Sequence, residues 1–270
     1  MTDDEGDDPD LRILAQTTEA VEAAGRVLLE RFSSENRVTD RESLLAAIEA
    51  NDAASTAVLR PALERIRPTA RWDDDEEGAG PLGPGEWWVT DAAEGNVNHV
   101  HGAAGWAVTA TLVRDDEPVL TAVHLPLSGE TYTAARGHGA FLDGVPISVS
   151  AKSELAAALV STAQAKPGEA PEIRRRLSAS IDALLEHALL VAAAVPATLQ
   201  LAPVAAGHTD AFWQFGQIRS GLVAGALLVR EAGGVVVDAQ GEPWALSSEA
   251  FIATTPGLAP AMTAALSALP

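Results

Sequence analysis

The stretch WWVTDAAEGNVNHVHG, Trp87 to Gly102, ends a hydrophobic run in an aspartate. A glutamate, a glycine, two asparagines and two histidines come next. Carboxylates at the mouth of a buried strand can hold hard divalent cations, which prefer oxygen ligands. They can equally accept a proton from a reacting hydroxyl or amine. Asp91 and Glu94 are the candidates for both roles. Gly95 permits a tight turn, Asn96 and Asn98 offer amides, and His99 is an imidazole able to act as a base near neutral pH. His101 reads as a buried structural histidine and His138 as an exposed turn residue. A second acidic run, DDDEEG from Asp73, reads alone as a solvated loop. If it faces the same pocket, Asp75 and Glu76 become further cation ligands.

Two kinds of element must position these groups. From Leu11 to Leu28, apolar residues recur at helical spacing, and a second helix fits Glu42 to Arg67, with Pro61 interrupting it or starting a new one. Residues 33–42, SSENRVTDRE, read as a loop or short hairpin. Residues 73–86 mix acids with Gly and Pro and read as a mobile surface loop. Strands are expected at Glu86–Thr90, Trp106–Val113, Pro118–Leu125 and Thr131–Ala135, an antiparallel meander with short turns. After Ser150 helices and strands alternate. Strands are expected at 159–163, 189–193, 211–214, 235–238 and 251–254, and helices at 171–187, 197–206, 222–231 and 258–269. The N-terminal α+β half is thus 11–150 and the C-terminal α/β half 151–270, with the boundary near 145–155.

The net charge of -20 leaves no basic stripe for nucleic acid or an anionic membrane. There is no cysteine, which excludes disulfides, zinc–thiolate sites and thiol nucleophiles. The first ten residues, MTDDEGDDPD, have no apolar core and read as a disordered acidic tail rather than a signal peptide. The expectation is a soluble cytoplasmic protein.

Several of these motifs, in this order, resemble the inositol monophosphatase superfamily of magnesium-dependent phosphomonoesterases. Its first signature, D-P-x-D-G-T-x-N-F-x-H-G, aligns without gaps on DAAEGNVNHVHG. GETYTAARGHGAFLDGVPISVS resembles the family's G-x-G-A-F-x-N-G-x-x-I-x-V-S segment. AGALLVREAGGVVVD resembles the helix and strand after its second signature, W-D-x-A-A-G. The resemblance implies a layered αβαβα sandwich, and a homodimer or a complex with a partner enzyme.

It also implies a site that departs from the family's. Asp91 matches the first metal-binding aspartate, and Ala93 the residue offering a carbonyl. Glu94 replaces the second aspartate, setting its carboxylate roughly 1.5 Å further from the backbone, a large error for magnesium. Asn96 replaces the threonine that helps orient the attacking water, and Asp52 matches the aspartate paired with that hydroxyl. The tryptophan–aspartate pair of the second signature falls on Ser220 and Gly221, so a metal carboxylate becomes a glycine. The family's substrate-contacting acid falls on Gln214. The implied catalytic residues are Asp52, Asp91, Glu94 and Asn96. Gly95, Asn98, His99, Gln214, Arg219 and Gly221 are the substrate-facing ones, and any metal ligands come from Asp75, Glu76, Asp91, Ala93 and Glu94.

Three functions fit this pattern. The one best matched by the substitutions keeps the pocket for a small phosphate or sulfate ester. It expels the anion by ring closure or elimination, without a metal cofactor. The second is magnesium-dependent hydrolysis with a reduced metal set. The third is a non-catalytic relative that binds a ligand or stabilises a partner.

Overall fold

The computed structural model describes residues 8–35, 37–75, 78–166, 168–216, 218–267 and 269. Helix α1, Pro9–Arg31, opens on the Asp8 side chain, which accepts from the Asp10 amide, with Pro9 at its first position. The structured chain thus begins inside the stretch read as a disordered tail. Asp10 pairs with Arg114 at 2.9 Å, and residues 1–7 lie outside the described residues. The buried face of α1 runs through Ile13, Thr17, Ala20, Val21, Ala24 and Leu28.

Helix α2, Arg41–Ile66, starts at a capping box between Asp40 and Ser43. Pro61 lies inside it and does not end it. Proline removes the amide that would bond to the carbonyl four residues earlier. Here Pro61 and Ala57 are both exposed, so water can serve that carbonyl. No strand forms over the described part of 33–40, which excludes the hairpin alternative there.

Seven strands form the first sheet: β1 Arg71–Trp72, β2 Glu86–Glu94, β3 Ala107–Arg114, β4 Glu117–Leu125, β5 Glu130–Ala135, β6 Gly139–Leu142 and β7 Val145–Pro146. They are adjacent in chain order. All pair antiparallel except β1 with β2. Between β2 and β3 comes α3, Asn96–Val100. The second half adds β8 Leu159–Thr162, α4 Pro171–Leu185, β9 Leu190–Ala193, α5 Thr198–Ala205, β10 Ala211–Phe215 and α6 Arg219–Glu231. It closes with β11 Val235–Val237, β12 Ala250–Thr254 and α7 Ala259–Ser267. Its five strands form a mixed sheet ordered β11-β12-β10-β8-β9.

Side-chain alternation explains the layering, because successive strand residues face opposite sides. In β2, Trp88 packs with Val21, Leu28 and Leu63 of α1 and α2. Its neighbour Val89 faces a core shared with Leu201 of α5, Leu222 of α6 and Phe212 of β10. The far side of the second sheet, with Trp213 and Ile252, packs on Leu184 of α4 and Met262 of α7. The order is therefore helix pair, sheet, helix pair, sheet, helix pair, the αβαβα sandwich.

The segment read as a mobile loop is anchored. Arg71 donates to the Pro84 carbonyl. Asp116 accepts from the Leu82 and Gly83 amides at 2.6 and 3.1 Å, and Asp115 from Gly85 at 2.8 Å. At its acidic end, Asp73 is held by Arg219.

Candidate functional site

Strand β2 runs further than its apolar residues suggest, so Asp91 and Glu94 stand on a strand rather than in a loop. The pairing with β3 breaks register between them, and such a bulge re-aims side chains at a strand end. Asp91 is fixed at both backbone and side chain. Its amide donates to Thr109 Oγ1 at 3.1 Å, and its Oδ1 accepts from the Ala93 amide at 3.0 Å. Gly95 then takes φ 75°. A Cβ there would sit 2.5 Å from the Gly105 carbonyl oxygen and 3.1 Å from Pro196, so conformation and space both demand glycine.

Asn96 opens α3 with its side chain hydrogen-bonded to α2. Its Nδ2 donates to Asp52 Oδ1 at 2.8 Å and to the Ile48 carbonyl at 3.0 Å, while its Oδ1 accepts from Asn51 Nδ2 at 2.9 Å. Both amide protons are committed to α2. Glu94 is only 4 % exposed, with its Oε2 accepting from the Thr198 hydroxyl at 3.0 Å. That hydroxyl also lies 3.1 Å from the Gly221 carbonyl.

These elements enclose a cavity of about 410 Å³. Ile48 and Asp52 of α2, Asp91, Ala93 to Asn98, Gln214 at the end of β10, and Ser220 with Gly221 at the start of α6 all line it. Helix α6 begins three residues earlier than its apolar spacing predicts, which puts Gly221 in its first turn. Of the residues expected from sequence, Asp52, Asp91, Ala93, Glu94, Gly95, Asn96, Asn98, Gln214 and Gly221 meet here. Gln214 is buried on the cavity wall, and its Oε1 has no hydrogen-bond partner among the described residues.

Three expectations are corrected. His99 does not line this cavity. Its Nε2 donates to the Leu28 carbonyl at 2.9 Å, and its Nδ1 accepts from Asn51 Nδ2 at 3.0 Å. The ring packs against Trp106 and Phe32, with centroids 4.7 and 5.4 Å away. Both nitrogens are used, in the neutral form, so neither is left to act on a substrate. Arg219 also stays out of the cavity. Its guanidinium clasps Asp73 at 2.7 and 2.8 Å and donates to the Gly80 carbonyl at 2.9 Å, while its own amide donates to the Gly78 carbonyl at 2.9 Å. Asp75 is exposed and away from the cavity, and Glu76 lies outside the described residues. Of the remaining histidines, His101 is exposed and bonded to Val97 of its own helix, not buried. His138 bonds Asp8 at 2.8 Å.

Lys166 and Gln164, just beyond β8, line the cavity and were not foreseen. Their only sequence signal was a position after a strand end, and Lys166 being one of two lysines in the chain.

Burial pushes the pKa of His99 below the usual histidine value, with Arg31 adding repulsion, and burial does the same to His124. As pH falls through about 6.5, the unfolded chain gains protons that the folded chain refuses, so acidification favours unfolding. The melting temperature is expected to fall steadily between about pH 7.5 and about pH 5.5. A melting temperature that holds or rises over that range contradicts this.

The donor set can be tested against magnesium. Among the described residues, no three Asp, Glu, His or Cys side chains converge at metal-ligand spacing. Asp91 and Glu94 border the cavity with Ala93, Asp52 accepts from Asn96, and Gly221 contributes no side chain. These residues do not fit a two- or three-cation centre.

The sequence profile of the Inositol monophosphatase family matches residues 10–269. The inositol-1-monophosphatase of Rhizobium meliloti is 31% identical over 236 residues, 85% of this chain and 86% of that protein. The Nus factor SuhB of Pseudomonas aeruginosa is 34% identical over 195 residues, 70% of this chain and 71% of that one. The solved inositol monophosphatase from Anabaena superposes with a TM-score of 0.79 at 27% identity, covering 96% of this chain and 97% of its own. Layering, motif order and these matches agree: the chain belongs to the inositol monophosphatase family.

Proposed function

We propose that the cavity binds a small hydroxylated phosphate ester and expels its phosphate through a nucleophile belonging to the substrate itself, rather than through metal-activated water. The observation that carries this reading is the Asn96 amide. Both of its protons are spent on Asp52 and Ile48, at the position where the family's threonine orients water. Gly221 acts in the same direction by removing a carboxylate. In the proposed step the attacking hydroxyl or amine bonds to carbon, and its proton passes to Asp91. The carbon–oxygen bond to phosphate breaks, and its electron pair leaves on the phosphate. Asp91 suits this role because Thr109 and Ala93 hold it rigid, and positioning alone supplies much of such an intramolecular barrier. Lys166 sets a positive charge on the cavity wall, toward the departing anion. Gln214, on the cavity wall, offers an uncharged side chain where an acid would repel the phosphate.

The family match itself favours a second reading, magnesium-dependent hydrolysis with a reduced donor set. Isotopic water separates the two. Hydroxylated phosphate esters are incubated with the enzyme in ¹⁸O-water, with EDTA or with magnesium. The expected result is a ring product and unlabelled phosphate, formed even in EDTA. Label in the phosphate, or strict dependence on magnesium, would overturn the displacement reading. No helix among the described residues is long and apolar enough to cross a membrane. The reading includes a cytoplasmic homodimer or partner complex, for which edge strand β9, with Leu189 and Leu190 exposed, supplies an open apolar surface.

A further inference from the structure

A second cavity, of about 250 Å³, opens on the far side of the Asn51–Asn96 contact, away from the ester pocket. The end of α1, residues 37–38, and the first turns of α2 enclose it, with His99 and Val100 of α3. Arg31 and Arg37 both line it, and no carboxylate does among the described residues.

Arg31 is oriented for a ligand. Its Nε donates to Asn51 Oδ1 at 2.8 Å, which fixes the plane of the guanidinium. Its two terminal nitrogens have no partner among the described residues. Arg37, also on the wall, has its Nη1 donating to the Ser34 carbonyl at 3.0 Å. His99 presents a neutral ring whose nitrogens are both engaged, and Val38, Ala47 and Val100 supply apolar wall. Guanidinium forks match planar or tetrahedral oxyanions and bind them through paired, charge-assisted hydrogen bonds.

We propose that this second cavity is a binding site for a small phosphoryl oxyanion, either free phosphate or the phosphate group of a metabolite, held by Arg31 and Arg37. It is distinct from the ester pocket and does not depend on the reaction assigned to that pocket.

The test is calorimetric titration of inorganic phosphate, and separately of glucose 6-phosphate, into the intact protein and three variants. The wild type is expected to bind phosphate saturably. Arg31→Gln and Arg37→Gln should each weaken binding by about tenfold or more, whereas Lys166→Met, which acts only on phosphate held in the ester pocket, should leave the arginine-dependent isotherm in place. Tighter binding of glucose 6-phosphate would identify a metabolite as the source, and equal or weaker binding free phosphate. Melting curves check folding. If Arg31→Gln unfolds through loss of its Asn51 bond, exposed Arg37→Gln carries the test. The proposal is overturned if the wild type shows no saturable phosphate binding, if the arginine variants bind as the wild type does, or if Lys166→Met alone abolishes binding.

Discussion

Replacing Arg219 with methionine is expected to lower the stability of the fold by roughly 3–5 kcal/mol. The Arg219 and Asp73 side chains are only 7 % and 8 % exposed, joined by two short bonds at 2.7 and 2.8 Å. Removing the guanidinium leaves a carboxylate buried and uncompensated, and takes a donor from the Gly80 carbonyl. The segment that Arg219 ties to the start of α6 should loosen with it, so hydrogen exchange at Gly78 to Leu82 should accelerate. Arg219→Lys should fall between, because an ammonium keeps the charge but cannot span both carboxylate oxygens. Removing both charges, as in Arg219→Met with Asp73→Leu, should recover much of the loss, since the penalty lies in the orphaned acid. Denaturant unfolding measures all four proteins. A loss below about 1 kcal/mol in the single variant, the range of an exposed ion pair, would show that this clasp is incidental.

Much of this architecture was legible because it rests on periodicity. Alternation in β2 sends Trp88 and Val89 to different cores, and the motif order implied the layers around them. The pocket was legible wherever a backbone motif sets it. Asp91, Glu94, Gly95 and Asn96 sit on one strand end and its turn, and the Asp52–Asn96 pair arises from two aligned positions. What escaped was whatever depends on partners distant in sequence. Arg219 stands beside the pocket in the chain, yet its side chain turns to an acid 146 residues away, and no local pattern encodes that choice. His99 has the right type for chemistry and the right neighbours in sequence. Burial against Trp106 and the carbonyl of Leu28 makes it a structural piece instead. The roles of Pro61 and of Asp8 to Asp10 escaped for a related reason. A residue's preference is weighed against exposure and capping, and those are set by packing.

The second large effect is a gain. Gly221→Asp should create a magnesium site where the described donors of the natural chain fall short. The position can take the change. A Cβ on Gly221 would meet only the Ala197 Cβ at 3.7 Å, an ordinary contact. Gly221 borders the same cavity as Asp91 and Glu94, so its new carboxylate joins theirs, with Asp52 on the wall beside them. Converging acids repel one another without a cation and gain most from one. The variant should therefore be less stable than the wild type in EDTA and more stable in magnesium, by linkage between binding and folding. This touches the central claim that the cavity has lost the means to activate water by metal. The measurement is calorimetric titration of magnesium into the wild-type protein and Gly221→Asp, side by side. The account predicts no saturable heat from the wild type and a saturable isotherm from the variant. Tight, stoichiometric magnesium binding by the wild type would contradict it and return the chain to its family's hydrolytic chemistry.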